Sequence, residues 1–239
     1  MSDNKFIEQK NENIFRIFMI EGANFDGKWD IPIIPDNVYT LPDLLVPYNK
    51  IKSSKVTKNA FVHFFIYDYL FDGPNGIWEG PRSNLKKNKG FSISSFYKYK
   101  GIIGPDFSMG FGLPLATVLD NCRRRRYIEH WFYKLGFQVV PFVRWTDERS
   151  FEFCFLGLTK NSIIAISTYG SMQNKFLNKY FLIGLKELIV QVEPRLIIIY
   201  GSLSKEVIDI LSNNNIKYIV YNNTTFNYKG DSNGRIKTK

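Results

Sequence analysis

The chain has 239 residues, of which 44% are hydrophobic and 16% aromatic, and this length allows one large domain with a substantial core. Its two cysteines, Cys122 and Cys154, are too few for a disulfide scaffold or a cysteine-based zinc site. Residues 1–30 lack the apolar stretch of a signal peptide, and no window is long and apolar enough for a membrane span. We therefore expect a cytoplasmic protein that has no membrane partner.

The chain is basic, with 32 Lys and Arg against 22 Asp and Glu and a net charge of +10. Residues 1–120 carry 14 basic and 13 acidic side chains, whereas residues 121–239 carry 18 and 9. A surface of this kind favours phosphates, nucleic acid or other anionic partners. An AT-rich coding sequence, which enriches lysine and asparagine, explains the same composition equally well.

Residues 1–100 predict few regular elements. We expect strands at 30–36 and 61–71, with a short helix or turn at 41–51 between them. Residues 72–100 form a long basic and aromatic connection broken by Gly and Pro. A connection of this length in a compact domain is usually functional or mobile.

From residue 101 the chain alternates regularly between strands and helices. Runs rich in Val and Ile predict strands at 101–108, 137–145, 162–170, 195–202 and 216–223. Segments of helical character predict helices at 114–136, 178–194 and 204–215, whereas 150–158 is ambiguous. Strands of this kind are buried on both faces, as in a parallel sheet. The pattern predicts an α/β βα-repeat fold with a mainly parallel sheet, either a TIM-like barrel, regular or irregular, or an open doubly wound sheet.

No internal repeat or low-complexity tract interrupts this alternation. We expect a single α/β domain at residues 13–225, preceded by a flexible arm at 1–12 and followed by a flexible basic tail at 226–239. The sequence indicates no oligomeric state.

Polar residues follow every predicted strand, and in parallel βα folds the ligand lies at the carboxyl ends of the strands. The predicted catalytic residues are Asp68, Asp106, Arg144, Ser167 and Tyr200. The predicted ligand-binding residues, which include two from the adjoining helix, are Ser108, Asn121, Arg124, Trp145, Thr168, Gly170, Gly201, Ser202 and Asn222. Polar residues also begin loops in general, so a purely structural role is the alternative for each of them.

Three aspartates among these strand ends could form a carboxylate cluster. If Asp68, Asp106 and Asp147 converge, they suit Mg²⁺ or general acid–base catalysis. In the alternative each caps a helix or anchors a loop, and this alternative is favoured for Asp147 because "TDERS" is typical of a turn. The sequence contains no phosphate-binding P-loop, no dinucleotide-binding glycine motif and no metal-binding histidine spacing, so no other cofactor is indicated.

Residues 82–100 combine six basic side chains with four aromatic ones and no acid. The basic residues, which we predict to bind nucleic acid, are Arg82, Lys86, Lys87, Lys89, Lys98 and Lys100. The aromatic residues are Phe91, Phe96, Tyr97 and Tyr99. Cations beside aromatic rings suit a single strand of DNA or RNA. A solvated lid with its aromatic residues packed on the domain explains the same residues and is favoured.

Four consecutive arginines, Arg123 to Arg126, lie within the predicted helix at 114–136. At about 100° per residue they spread around nearly the whole helix, so they cannot all face one phosphate backbone. Asp120 lies four residues before Arg124, and Glu129 lies three residues after Arg126. We expect Arg124 or Arg126 to be packed and paired, and Arg123 and Arg125 to be available to nucleic acid.

The motifs after residue 100 resemble those of an uncharacterised family, a domain of unknown function seen in phages, plasmids and integrated elements of low-GC Gram-positive bacteria. The residues that carry the resemblance, which covers about 30–225, are Pro105 to Ser108, Asn121 with Arg124, Gly136 to Trp145, Ser167 to Gly170, and Tyr200 with Gly201. The resemblance implies a mobile-element setting and no particular activity.

Two functions follow from these observations. The first is an accessory protein of a phage or mobile element that binds or processes nucleic acid through its basic surface. The alternative is a pocket enzyme or sensor for a phosphorylated small molecule or nucleotide, with its site at the strand ends. A third reading, a phage protein that binds a host protein, has no site in the sequence. Whether the protein is an enzyme is not indicated.

Overall fold

The computed structural model describes residues 15–56, 59–82, 91–172, 174–221 and 235–237. Their strands are β1 (Phe25–Asp26), β2 (Ile31–Pro32), β3 (Leu44–Pro47), β4 (Ala60–His63), β5 (Gly101–Ile103), β6 (Gln138–Val140), β7 (Ile163–Ser167), β8 (Leu196–Tyr200), β9 (Lys217–Tyr221) and β10 (Arg235–Lys237). Their helices are α1 (Leu115–Lys134), α2 (Phe151–Cys154), α3 (Lys175–Val192) and α4 (Lys205–Asn213). Within these residues no helix is both long and apolar enough to cross a bilayer.

Two four-stranded sheets form the centre of the molecule. The first is parallel with the order β3-β4-β5-β6, and the second has the order β10-β9-β8-β7 with only β10 antiparallel. A single parallel bridge between Phe142 and Ala165 joins them. The prediction of a mainly parallel α/β fold is therefore confirmed. The described strands do not close into a barrel, and their order follows the chain without the reversal of a doubly wound sheet.

Both faces of the sheets are buried, as the apolar composition of the strands requires. Along β7, Ile163 and Ala165 belong to a cluster that gathers side chains from both sheets, including Phe61 of β4 and Ile198 of β8. The alternate residues Ile164 and Ile166 pack in the cluster that contains α3 and α4. Because successive residues of a strand point to opposite faces of the sheet, alternate residues of β7 pack in an inner cluster between the sheets and in an outer cluster beneath the helices.

Helix α1 bridges the two sheets. Val118 and Cys122 in its first half pack with the second sheet, whereas Ile128 and Phe132 pack with the first. The helix follows Pro114, and the chain leaves it through Gly136, whose φ of 86° is in the left-handed region that favours glycine. Its predicted limits are confirmed to within two residues.

Several predicted elements in the first half are wrong. Residues 44–47, inside the predicted helix or turn, form β3, because this short apolar run pairs in parallel with β4. The predicted strands at 30–36 and 61–71 are reduced to β2 and β4.

The ambiguous segment 150–158 contains the short helix α2. The predicted arm at 1–12 lies outside the described residues, as does the predicted tail at 226–239 apart from β10.

Candidate functional site

A cavity of about 970 Å³ lies at the carboxyl ends of β4 to β7. Its walls come from the loops after these four strands and from the start of α3. The lining residues are Phe65, Ile66, Tyr67, Asp68, Tyr69, Leu70, Asp106, Ser108, Met109, Gly110, Phe111, Arg144, Trp145, Thr146, Tyr169, Gly170, Ser171, Leu177, Tyr180 and Phe181. A volume of this size suits a small-molecule ligand or cofactor.

An ion pair between Asp106 and Arg144 forms the polar wall of the cavity. Nη1 of Arg144 lies 3.2 Å from Oδ1 of Asp106, and the side chains are 19% and 11% exposed. Nη2 of Arg144 donates to the carbonyl of Tyr169 at 3.0 Å and to Oγ of Ser171 at 3.4 Å. Within the described residues, Oδ1 of Asp106 accepts no hydrogen bond of good geometry. Oδ1 of Asp106 is itself buried, so the ion pair with Arg144 is the polar contact that holds this carboxylate at the cavity wall.

Burial raises the pKa of Asp106, and the charge of Asp68 raises it further, although Arg144 and Arg125 oppose the shift. A carboxyl group whose folded-state pKa is raised binds its proton more tightly in the folded protein, so the ionised form costs stability. The loss of stability begins as the pH rises above the ordinary aspartate pKa of about 3.9. It reaches its full value once the pH is above the raised folded-state pKa.

We predict a pH-dependent difference between the wild type and Asp106→Asn. The free energy of unfolding of the wild type, relative to that of the variant, should fall as pH rises through the interval between the two pKa values. Urea unfolding of both proteins between about pH 4 and pH 8 measures this difference. Asp147→Asn is the matched control, because the hydrogen bond from Arg149 lowers the pKa of Asp147 and so places its titration below this pH range. The relative stability of the wild type and Asp147→Asn should therefore stay nearly constant between about pH 4 and pH 8. If the stability of the wild type relative to Asp106→Asn stays constant or rises with pH, the prediction is wrong.

Asp68 holds the loop that follows β5. Its Oδ2 accepts from the backbone N–H of Ser108 at 3.0 Å, and its Oδ1 accepts from the Ser108 hydroxyl at 2.9 Å. Nδ2 of Asn121 donates to the carbonyl of the same serine at 2.8 Å. Asp68 and Ser108 line the cavity, whereas Asn121 is behind them and fixes the loop rather than the ligand surface.

The metal arrangement that the sequence suggested is not formed. Asp147 accepts from the backbone N–H of Arg149 and pairs with its guanidinium at 2.7 Å, so it caps a turn and does not line the cavity. Among the residues that the structure describes, no group of three or more His, Cys, Asp and Glu side chains is arranged to hold a metal ion. The expected turn role of Asp147 is confirmed.

The hydroxyl groups at the end of β7 donate hydrogen bonds to backbone carbonyls at the end of β8. The Ser167 hydroxyl donates to the Tyr200 carbonyl at 3.3 Å, and the Thr168 hydroxyl donates to the Ser202 carbonyl at 2.8 Å. A Cβ on Gly201 would lie 2.4 Å from Oγ1 of Thr168, which explains the glycine. The catalytic role predicted for Ser167 does not fit this geometry, because its buried hydroxyl is engaged in the fold and is not on the cavity wall.

Tyr200 is also placed away from the cavity wall. Its ring is buried, stacks on Phe65 with centroids 4.4 Å apart and contacts the tilted His63 ring at 5.1 Å. Thr168, Gly201 and Ser202 likewise do not line the cavity, and Asn222 lies outside the described residues. Of the predicted ligand-binding residues that follow β7, only Gly170 lines the cavity.

Arg125 is fully buried, so its predicted contact with nucleic acid is wrong. Its Nε donates to the carbonyl of Pro105 at 2.8 Å, and its Nη2 donates to that of Phe107 at 3.3 Å. These carbonyls flank Asp106 on both sides. The guanidinium therefore supports the strand end that carries the cavity carboxylate.

Arg126 is the packed and paired arginine that helical spacing predicted. Its Nη1 lies 2.6 Å from Oε2 of Glu129, and both side chains have no exposed surface. It also donates to the carbonyls of Leu156, Phe142 and Cys154 at 3.0, 3.0 and 3.4 Å. The ion pair thereby joins α1 to the end of β6 and to α2.

The outer two arginines are paired differently from the spacing prediction. Asp120 binds Arg123 at 2.7 Å rather than Arg124. Arg124 instead binds Asp72 at 2.5 Å and lies over the Phe107 ring at 4.2 Å, so the ligand contact predicted for it is not formed at the cavity. Arg123 remains one-third exposed.

The aromatic residues of the 82–100 connection pack on the domain where they are described. Phe96 and Tyr99 are buried, and Tyr97 stacks on Phe137 with an interplanar angle of 3°. Lys98 donates to the carbonyl of Ser54 at 2.8 Å, and Lys100 is exposed before β5, at the end of the sheet opposite the cavity. The side chain of Arg82 and all of Lys86, Lys87 and Lys89 lie outside the described residues.

Sequence reasoning missed most of the aromatic wall. Tyr69, Phe111, Tyr169 and Tyr180 line the cavity together with the predicted Trp145. The Trp145 indole donates from Nε1 to the Tyr180 carbonyl at 3.2 Å and stacks on Phe181. The i, i+4 pair of Phe176 and Tyr180 at the start of α3 was a readable signal, because such residues share a helix face.

These features define a mixed α/β protein with parallel sheets and a ligand-sized cavity at the carboxyl ends of four strands. The chain belongs to the family described as Domain of unknown function (DUF4417), whose model matches residues 23–220. It is similar to the Gene 1 protein of Mycobacterium phage L5, with 32% identity over 142 residues, which cover 59% of this chain and 57% of that protein. It is also similar to the Gene 1 protein of Mycobacterium phage D29, with 28% identity over 193 residues, which cover 74% and 67%.

The predicted membership of a phage-associated family of unknown function is thus confirmed. The chain spans little more than half the length of the L5 protein that it matches. No solved structure matches the chain.

Proposed function

We propose that the cavity at the carboxyl ends of β4 to β7 binds a nucleotide-type ligand, in which a planar heterocycle carries a phosphate. The observation that carries the proposal is that charged and polar side chains lie on one wall of the cavity and mainly apolar side chains on the others. One wall holds the Asp106–Arg144 pair with Asp68 and Ser108, and aromatic and aliphatic side chains form most of the remainder. Few polar groups on an otherwise apolar and aromatic surface are typical of a small-ligand site.

Each part of the wall suits one part of such a ligand. Arg144 is the one cation on the cavity wall among the described residues, and its guanidinium, which also pairs with Asp106, supplies the positive charge that a phosphate needs. Asp106 lines the same wall, and a carboxylate accepts hydrogen bonds from the ring N–H groups of a base. The rings of Tyr69 and Phe111 offer faces on which the heterocycle stacks. Asp106 is also the group that a proton-transfer reaction would use, which agrees with its predicted catalytic role.

The alternative is the binding of nucleic acid through a dispersed basic surface. The net charge of +10 favours it. Against it, Arg125 is buried, Arg126 is paired, and the described aromatic residues of the 82–100 connection pack on the domain. We therefore place the cavity first. Of the basic residues predicted to bind nucleic acid, the exposed Lys100 and the partly exposed Arg123 are the described ones that still support the alternative.

Thermal unfolding with a panel of nucleotides and sugar phosphates tests the proposal. At a ligand concentration of about 100 Kd, we expect a stabilisation of about 2.7 kcal/mol and a rise in Tm of about 5–10 °C. Arg144→Gln should remove this rise, because the phosphate loses its cation. Lys100→Ala should leave it unchanged, because that lysine is at the opposite end of the sheet. Stabilisation that is lost in Lys100→Ala but kept in Arg144→Gln would contradict the proposal, as would a flat response to the whole panel.

A further inference from the structure

Aromatic side chains surround the mouth of the cavity, and we call them the aromatic rim. Its exposed members are Tyr67, Tyr69, Phe111, Tyr169 and Phe176, and its sixth member, Tyr180, is half-buried. Tyr67 and Tyr69 are 68% and 75% exposed and stack on each other with centroids 5.7 Å apart. Large exposed apolar groups that gather at one place mark an interaction surface.

On the other side of the mouth, the start of α3 contributes a second group of rings. Phe176, which is 55% exposed, contacts Phe111 and Tyr180, with each pair of centroids 5.0 Å apart. Tyr180 and Phe111 also line the cavity, whereas Phe176 is outside it. The aromatic surface therefore continues from inside the cavity to the outside of the molecule.

The same stretch of α3 is positively charged. Lys175 and Lys179 are exposed, alternate with Phe176 and Tyr180 at a spacing of four residues, and Nζ of Lys179 lies 5.8 Å from the Tyr180 ring. No Asp or Glu occurs between Glu152 and Glu187. This side of the rim thus presents rings and cations with no carboxylate of its own.

Rings that stack bases beside cations that meet phosphates are the features of single-strand binding sites. Stacking on an exposed ring requires an unpaired base, so a duplex does not suit this surface. We infer that the ligand is a nucleotide within single-stranded DNA or RNA, with one base in the cavity and its neighbours on the rings of the rim beside Lys175 and Lys179. The inference rests on the proposed function and names its substrate class. Enzymes that act on one base of a strand place it in a pocket in the same way.

Fluorescence anisotropy with labelled single strands of about 12 nucleotides tests the inference. DNA and RNA strands are titrated separately, and a hairpin duplex and the mononucleotide are compared with them. We expect the single strands to bind more tightly than either. Phe176→Ala should weaken their binding about tenfold or more, the effect of losing one stacked base. Replacing Lys175 and Lys179 by alanine should reduce the slope of log affinity against log salt by about 1–2.

Two variants serve as matched controls. Tyr39→Ala removes an exposed ring beside the amino end of β6, and Lys186→Ala removes an exposed lysine two turns further along α3. Both should bind the strands as the wild type does. Equal effects of Phe176→Ala and Tyr39→Ala would overturn the inference. Tighter binding of the duplex, of an apolar peptide or of anionic vesicles than of single strands would also overturn it.

The outcomes separate this inference from the proposed function. If mononucleotides bind in an Arg144-dependent manner and strands bind no more tightly, the rim inference is wrong and the cavity proposal stands. If strands bind through Phe176 while mononucleotides fail to bind and Arg144→Gln has no effect, the cavity proposal is wrong, and so is the placement of a base within the cavity.

Discussion

Glu129→Ala is expected to lower the free energy of unfolding by about 3–5 kcal/mol, because it leaves the Arg126 guanidinium buried without its counter-charge. The carboxylate also accepts from the backbone N–H of Phe142 at 2.8 Å, so the substitution removes that partner as well. Gly104 provides the space for this carboxylate, since a Cβ there would lie 1.7 Å from Oε1 of Glu129. Urea unfolding monitored by circular dichroism measures the loss.

Asp120→Ala is the matched control for this prediction. Asp120 and Arg123 form an ion pair on the same helix with the same spacing of three residues, but its side chains are 50% and 35% exposed. Exposed pairs contribute less than about 1 kcal/mol, so this variant should unfold close to the wild type. A Glu129→Ala protein whose stability equals that of Asp120→Ala would show that the buried pair does not hold α1 on the sheets.

Gly184→Ala is expected to destabilise the protein by about 1–3 kcal/mol, the reverse of the usual effect of this substitution within a helix. Gly184 lies within α3, and a Cβ there would be 2.1 Å from Nε1 of Trp145. The indole donates to the carbonyl of Tyr180, one turn earlier, and this approach is open only because residue 184 has no side chain. Displacing the indole also alters the cavity wall, so nucleotide-dependent stabilisation should decrease along with stability.

Gly110→Ala is the control for the glycine substitution. Gly110 is exposed on the cavity wall, its φ is not in the left-handed region, and nothing lies within 4 Å of a Cβ built there. Its replacement should leave the free energy of unfolding unchanged or raise it slightly, because the unfolded chain loses freedom. If Gly184→Ala stabilises the protein, the close packing of Trp145 on α3 is not a requirement of the fold.

The alternation of strands and helices after residue 100 was readable because it depends on local pattern. The Ile-rich runs of β7 and β8 are buried on both faces, and Asn174 and Ser204 cap α3 and α4 through their side-chain oxygens. The first half was harder to read. The run that forms β3 is only four residues long, and it becomes a strand through its pairing with β4.

The candidate site was predicted in part for the same reason. Asp68, Asp106 and Arg144 follow β4, β5 and β6, and adjacent parallel strands bring their carboxyl ends to one edge. Ser167 and Tyr200 follow their strands in the same manner, yet they bond or pack within the domain. No local pattern separates these two outcomes, because the partners are side chains and carbonyls from other strands.

The four consecutive arginines show which properties of a charged side chain cannot be predicted from the sequence. Helical periodicity alone determined that Arg123 to Arg126 spread around α1 and that Glu129 lies within reach of Arg126. The tertiary structure decided that Arg125 is buried as well, because the carbonyls of Pro105 and Phe107 accept hydrogen bonds from its Nε and Nη2. Those carbonyls come from the chain after β5, and the packing of α1 on that strand end brings them within hydrogen-bond distance. Secondary structure follows from neighbours in sequence, whereas the burial and pairing of polar and charged side chains follow from neighbours in space.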